Sequence, residues 1–226
     1  CIRDSSINKS GFKGEKVMVA FNIDYETIKR LSGAGFQVIL PGKSNDTTQR
    51  YEYQSSLPVH VERFVHIYNY LQSHDTYRFV ITTDVKDVIF QSNPSTWLEE
   101  NMNEAQINVA CESIKYKDED WGSHNLMKSF GPLIHDHNKD RLVYNAGTIS
   151  GKFDTMLDLF LNLYMICNGT SHHIEGGGGP DQAALNILLQ LEPYKTITNF
   201  AMSEDGYAAQ LGTTGPQIQN KYGDKA

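Results

Sequence analysis

The chain has 226 residues, 39% hydrophobic and 21% charged, with 20 Lys plus Arg against 27 Asp plus Glu and a formal net charge of −7. That length supports a full hydrophobic core without metals or crosslinks, and the acidity makes the chain a poor candidate for non-specific binding to a phosphate backbone, so nucleic acid is not an expected partner. No apolar run approaches the ~20 residues of a membrane helix, and no signal segment opens the chain, so a protein without a transmembrane segment, cytoplasmic or otherwise soluble, is expected. Residues 1–226 read as one domain whose first ~15 and last ~20 residues are peripheral. A start at Cys1 leaves room for a fragment of a longer chain.

Residues 16–22 (Lys-Val-Met-Val-Ala-Phe-Asn) are a short run of strand formers. The Asn-Ile-Asp that closes the run suits a cap, predicting a helix over about 25–32 stopped by Gly33 and Gly35. A second strand at 36–40 ends at Pro41-Gly42. Residues 43–57 are polar without a period and read as a long loop. From Pro58 onward, His60, Phe64, Ile67, Tyr68 and Leu71 recur at helical steps.

A buried strand at 79–83 leads to Asp84-Val-Lys-Asp87 and a further apolar run at 88–90. Asn93-Pro94 opens a helix to about Met102, and 107–111 is another strand. Residues 113–140 are polar and irregular, with Trp121 and Phe130 as anchors. A strand at 142–150 contains Asn145-Ala146-Gly147. The helix over 153–167 turns Met156, Leu157, Phe160, Leu161 and Tyr164 inward, and four glycines at 176–179 precede Pro180-Asp181-Gln182, which opens a last helix to about Leu191. The tail after Phe200 reads as weakly structured. Strands alternating with helices at this spacing predict an α/β domain, Rossmann-like, with a mostly parallel twisted sheet flanked by helices. In such sheets ligands bind beyond the carboxyl ends of the strands. Cys111 and Cys167 have apolar flanks and read as buried free thiols, and none of the three cysteines has a zinc-binding spacing.

Asp84 and Asp87 place two carboxylates within one short turn. Oxygen ligands of this kind hold Mg²⁺ or Mn²⁺ while leaving positions for a diphosphate; otherwise Asp84 caps a turn and Asp87 makes surface hydrogen bonds. Asp181 and Gln182 stand where an N-cap would, or where a carboxylate meets a substrate. Asn145-Ala146-Gly147 either brings backbone close to a ligand or forms a bulge in a core strand. Arg63 either pairs with an anion or covers apolar surface with its stem. Asn22 and Asp24 end the first strand, and Glu112 follows the strand at 107–111. His135-Asp136-His137 lacks a third ligand at a recognisable spacing.

The Asp pair after an apolar strand, Asn-Ala-Gly in a later strand, and Gly-Pro-Asp-Gln-x-x-Leu-Asn at a helix start occur in that order. In this the chain resembles nucleotide-sugar glycosyltransferases of the GT-A fold from about Lys16 to Leu191. Its size and the block from Asp84 to Gln91 look like the compact glycosyltransferase domains of large algal viruses. The resemblance implies a single GT-A-like domain and metal-dependent transfer of a sugar from a nucleotide-sugar donor, a UDP-sugar by family habit, to a hydroxyl of a glycan or glycoprotein acceptor. It implies Mn²⁺ or Mg²⁺ on Asp84 and Asp87, and donor contacts from Asn22, Asp24, Arg63, Asp84, Asn145, Ala146 and Gly147. It also places Asp181 and Gln182 beside the reacting sugar, with Glu112 toward the acceptor; a viral origin would mean host cytoplasm.

The chain departs from the family pattern at two points. Lys86 stands where a strict Asp-x-Asp from Asp84 would put its second acid, and no His follows His173 to serve as the third ligand many members use. Two other readings stand beside this one. A sugar nucleotidyltransferase would carry a Gly-rich basic signature, of which residues 11–15 (Gly-Phe-Lys-Gly-Glu) are a poor version. A non-catalytic nucleotide- or glycan-binding module would keep the fold without the chemistry. A phosphatase using Asp84 as nucleophile is excluded by Lys86, where that chemistry places another Asp.

Overall fold

A computed structural model describes the backbone of residues 2–74, 77–85, 88–170 and 178–212, and side chains from Ser6 onward. After helix α1 (Ile2–Lys9), strand β1 (Val17–Val19) pairs in parallel with β3 (Gln37–Ile39), joined through β2 (Ile23–Asp24) and α2 (Tyr25–Gly33). Asp24 caps α2, its carboxylate accepting from Thr27 N at 2.7 Å and Thr27 Oγ1 at 3.0 Å, as the Asn-Ile-Asp sequence predicts. Ile7, Met18, Ala20, Leu31 and Phe36 make a small core here. The N-terminal segment, expected to be peripheral, thus puts Ile7 into a core.

The stretch at 43–57 is not a featureless loop. It holds β4 (Lys43–Asn45) and β5 (Arg50–Glu52), an antiparallel pair with β2 on the far side of β5. Asn45 Oδ1 shapes the turn between them by accepting from Thr47 N and Thr48 N, an Asx-type turn. These strands are short and polar, so they offer no apolar period to read. The segment is fastened to helix α3 (Val59–Gln72) by Tyr53, whose hydroxyl donates to the buried Glu62 at 2.6 Å, with Ser55 on the other oxygen. Burial and that carboxylate push the Tyr53 phenol up to about 12. Beneath it, Phe64 of α3 stacks on Phe160 of α6 (Phe153–Asn168) with centroids 6.0 Å apart.

The larger sheet has the order β6-β8-β7-β9, from β6 (Phe79–Thr83), β7 (Ile107–Lys115), β8 (Leu142–Lys152) and β9 (Thr198–Ala201). Strand β8 runs antiparallel to both β6 and β7, and β9 runs parallel to β7. The fold is mixed α/β, and this sheet corrects the expectation of a mostly parallel one. The reason lies in residues 113–140, expected to be irregular, which contain helix α5 (Asp120–Asn138) bent at Gly131 (φ 81°) and Pro132. Tyr116 N bonds Arg141 O at 3.1 Å and Lys117 N bonds Lys139 O at 2.9 Å. The excursion therefore begins and ends at one place, and β8 must return antiparallel.

Helix α4 (Pro94–Asn101) starts at its Asn93 cap, and α7 (Asp181–Leu188) and α8 (Tyr194–Ile197) follow α6. The main core joins α3, α6 and α7 to the sheet through Phe64, Ile107, Val109, Ile149, Phe160 and Leu185. On α6, Met156 and Phe160 are buried as predicted, but Leu159, Leu163 and Cys167 complete that face and Leu161 is exposed. Cys111 and Cys167 are buried free thiols. Among the described residues no helix is long and apolar enough to cross a membrane.

Candidate functional site

Among the described residues β1 pairs with β3 alone and β6 with β8 alone. Consecutive residues of both strands, Val17 to Val19 and Phe79 to Thr83, line a cleft of about 660 Å³. Successive strand side chains alternate between faces, so the cleft runs along the strand edges. That explains why β6, expected to be buried, is half-buried along its whole length. Helix α3 walls one side with Arg63, Ile67 and Tyr70. At one end Glu15 accepts from the hydroxyls of Tyr70, at 2.5 Å, and of Tyr77. Those two bonds hold the Glu15 carboxyl below its ordinary range. The other end lies beside His60, Arg63 and Asp84.

Asp84 is the first residue beyond β6, and its backbone N donates to Gly147 O on β8 at 2.8 Å. Arg63 joins three parts of the fold. Its Nη1 donates to Asp84 Oδ1 at 2.8 Å, and its Nη2 donates to Asp181 Oδ2 at 2.6 Å and to Ala146 O at 3.3 Å. The Asp84 side chain is 50% exposed, that of Arg63 20% and that of Asp181 9%. Asp181 is not the helix cap, because Pro180 occupies that position and makes no side-chain capping bond. Its carboxylate sits in the first turn of α7, where the helix dipole favours negative charge, and is spent on Arg63. The geometry also shows why position 147 is glycine, since a Cβ there would collide with Asp84 Oδ2 and lie 2.8 Å from Asn145 Oδ1.

The Asn-Ala-Gly strand is tied to α7 by side-chain amides. Gln182 Oε1 accepts from Ala146 N at 3.3 Å, while Asn186 accepts from Tyr144 N at 2.9 Å and donates to Tyr144 O at 2.7 Å. Asn145 Oδ1 accepts from Gly147 N at 2.6 Å, and its Nδ2 donates to Glu112 Oε1 at 2.8 Å. Asn186 escaped the sequence reading as a site residue, although its place four residues after Gln182 puts both on one helix face.

Glu112 is buried, and desolvation pushes its carboxyl above the ordinary range; the Asn145 bond acts the other way and the Glu119 charge adds to the rise. A carboxyl whose pKa is raised on folding favours the folded state below its unfolded pKa and loses that contribution as pH rises through the folded one. The contribution of Glu112 to stability is therefore expected to fall as pH climbs above the ordinary Glu value of 4.5. Glu112→Gln, which keeps shape and hydrogen bonding, flattens that part of the profile, as urea unfolding across pH will show.

Asn22 and Asp24 are not brought to this cluster and do not line the cleft. Asp24 caps α2. Asn22, at φ 51°, accepts from Tyr53 N at 2.8 Å through Oδ1 and from Arg50 through its carbonyl, which fixes the chain crossing to β5. Asp87, with Lys86, lies outside the described residues. Among the described residues no group of three or more His, Cys, Asp or Glu is assembled. A hard cation held by one or two carboxylates, with its other positions left to phosphate and water, asks for less than that, and the half-exposed carboxylate of Asp84, which lines the cleft, fits it. No model of a known protein family matches the chain, and no curated protein matches it.

Proposed function

We propose that this chain is a metal-dependent glycosyltransferase on a GT-A-like domain, moving a sugar from a UDP-sugar to a hydroxyl of a glycan or glycoprotein. One observation carries the reading: Arg63, which with Asp84 lines a cleft of about 660 Å³, bonds Asp84, Ala146 and Asp181, three motifs far apart in sequence. That volume is in the range of small-molecule sites. Asp84 and Asp87 would hold Mn²⁺ or Mg²⁺, which neutralises charge on a departing diphosphate. The Arg63 guanidinium is a planar fork suited to phosphate oxygens. Gly147 keeps the strand low enough for Asp84 to reach the site. Asp181 and Gln182 orient the sugar, and Glu112, held by Asn145, faces the acceptor side. Asn22, which ties β5 to the β1 end, and Asp24, which caps α2, stand apart from the cluster around Arg63.

The test is turnover. Asp181→Asn keeps the shape and a hydrogen bond to Arg63 but removes the charge. It is expected to leave UDP binding within about twofold while lowering UDP release from the accepted UDP-sugar roughly 100-fold, the scale of a misplaced reacting group. Unchanged turnover in that variant would return Asp181 to a structural partner of Arg63.

A further inference from the structure

The chain has two tryptophans, and they stand in opposite settings. Trp97 is engaged, its Nε1 donating to Asp205 O at 3.3 Å and its rings 5.0 Å from Tyr207. Trp121 is 38% exposed and belongs to none of the core clusters among the described residues. It was expected to be an anchor, yet it sits in the first turn of α5, where Glu119 Oε1 accepts from its backbone N at 3.0 Å.

The indole lies against Gly178. A Cβ at that glycine would be 3.0 Å from Trp121 Cζ2, and its φ of +85° is a second reason for glycine there. One turn along α5, the buried Asn125 donates to Gly179 O at 3.0 Å. The start of α5 therefore grips residues 178 and 179 at two points. Gly179 in turn borders the carboxylate cluster, since a Cβ there would be 3.5 Å from Asp181 Oδ1 and 3.2 Å from His60 Cβ. From Gly178 to Asp181 the chain spans at most about 11 Å.

We propose that Trp121 is a stacking platform for a neutral pyranose ring of the acceptor, linked toward Asp181 by the Gly178–Gly179 segment it packs against. This rests on the transferase reading for its link to catalysis but not for the binding itself. An indole face is apolar and carries the negative side of its quadrupole, which suits the C–H face of a pyranose while the ring hydroxyls stay in water. Asp118, Glu119 and Asp120 directly precede the indole, so a uronic or sialic acid would meet like charge. The platform takes an uncharged hexose or N-acetylhexosamine.

Saturation-transfer NMR with cellobiose, lactose and chitobiose, without nucleotide, tests this, with irradiation of the aromatic protons. Wild type is expected to transfer saturation to the C–H protons of at least one neutral sugar and not to glucuronic acid. Trp121→Ala, checked for fold by circular dichroism, is expected to weaken that binding roughly tenfold, the scale of one aromatic contact. In Trp97→Phe, where Trp121 is the sole indole, the same sugar is expected to change the emission saturably. No transfer to any neutral sugar, or equal transfer in Trp121→Ala, overturns the platform. Sugar binding at Trp121 without any UDP binding supports the platform while removing the transferase reading.

Discussion

Arg63→Ala is expected to lower the free energy of unfolding by about 3 kcal/mol, because it leaves a buried carboxylate without its counter-charge. Asp181 has a side chain only 9% exposed, and its cationic partner is Arg63 at 2.6 Å. The α7 N-terminus still offers partial positive charge, which keeps the loss at the low end for a broken buried pair. Lysine does not rescue the site, since one ammonium cannot reproduce the fork that spans Asp84 and Asp181. In a double-mutant cycle Arg63→Ala and Asp181→Ala together are expected to cost less than the sum of the single changes, with about 1–3 kcal/mol of coupling. Urea unfolding of the four proteins measures it. Additive losses would mean that the two residues act independently.

Gly147→Ala is expected to disable the site by a different route. The new methyl group would occupy the space of Asp84 Oδ2 and crowd Asn145 Oδ1, so Asp84 must swing away from its bond to Arg63. Overpacking of this kind costs about 1–3 kcal/mol, and UDP binding in the presence of Mn²⁺ is expected to fall at least roughly tenfold. Gly33→Ala is the control. That glycine closes α2, and a methyl group added there would meet nothing within 4 Å, so alanine is expected to add about 0.5 kcal/mol of stability. Calorimetric titration with UDP and Mn²⁺ separates the two variants, and equal binding by both would detach Gly147 from the site.

Helix starts were legible because single residues fix them. Asp24, Pro58 and Asn93 each stand where the structure begins α2, α3 and α4. Helix α5 was hidden because Gly122, Gly131 and Pro132 interrupt its apolar positions, and the bend at Gly131 splits it in two. Strand direction was not legible at all. Alternation of helices and strands suits a crossover and an excursion equally, and only the bonds joining Tyr116 to Arg141 and Lys117 to Lys139 decide for the excursion. Of the candidate site, the motif residues were readable from their types and order. Their assembly was not, because Arg63 and Asp181 are 118 residues apart and no local pattern joins them. Trp121 was misplaced for a related reason, since composition shows that an indole is apolar but not what covers it.

The cluster held by Arg63 is proposed to bind a nucleotide diphosphate together with a divalent cation. Thermal unfolding with UDP, Mn²⁺, both and neither tests it most directly, with Asp84→Asn alongside. A ligand at 100 times its dissociation constant adds about 2.7 kcal/mol, which corresponds to a rise of about 5 °C or more for a chain of this length. That rise is expected only when UDP and Mn²⁺ are present together, and it is expected to be lost in Asp84→Asn. An unmoved midpoint with both ligands, or the same rise in Asp84→Asn, would contradict it.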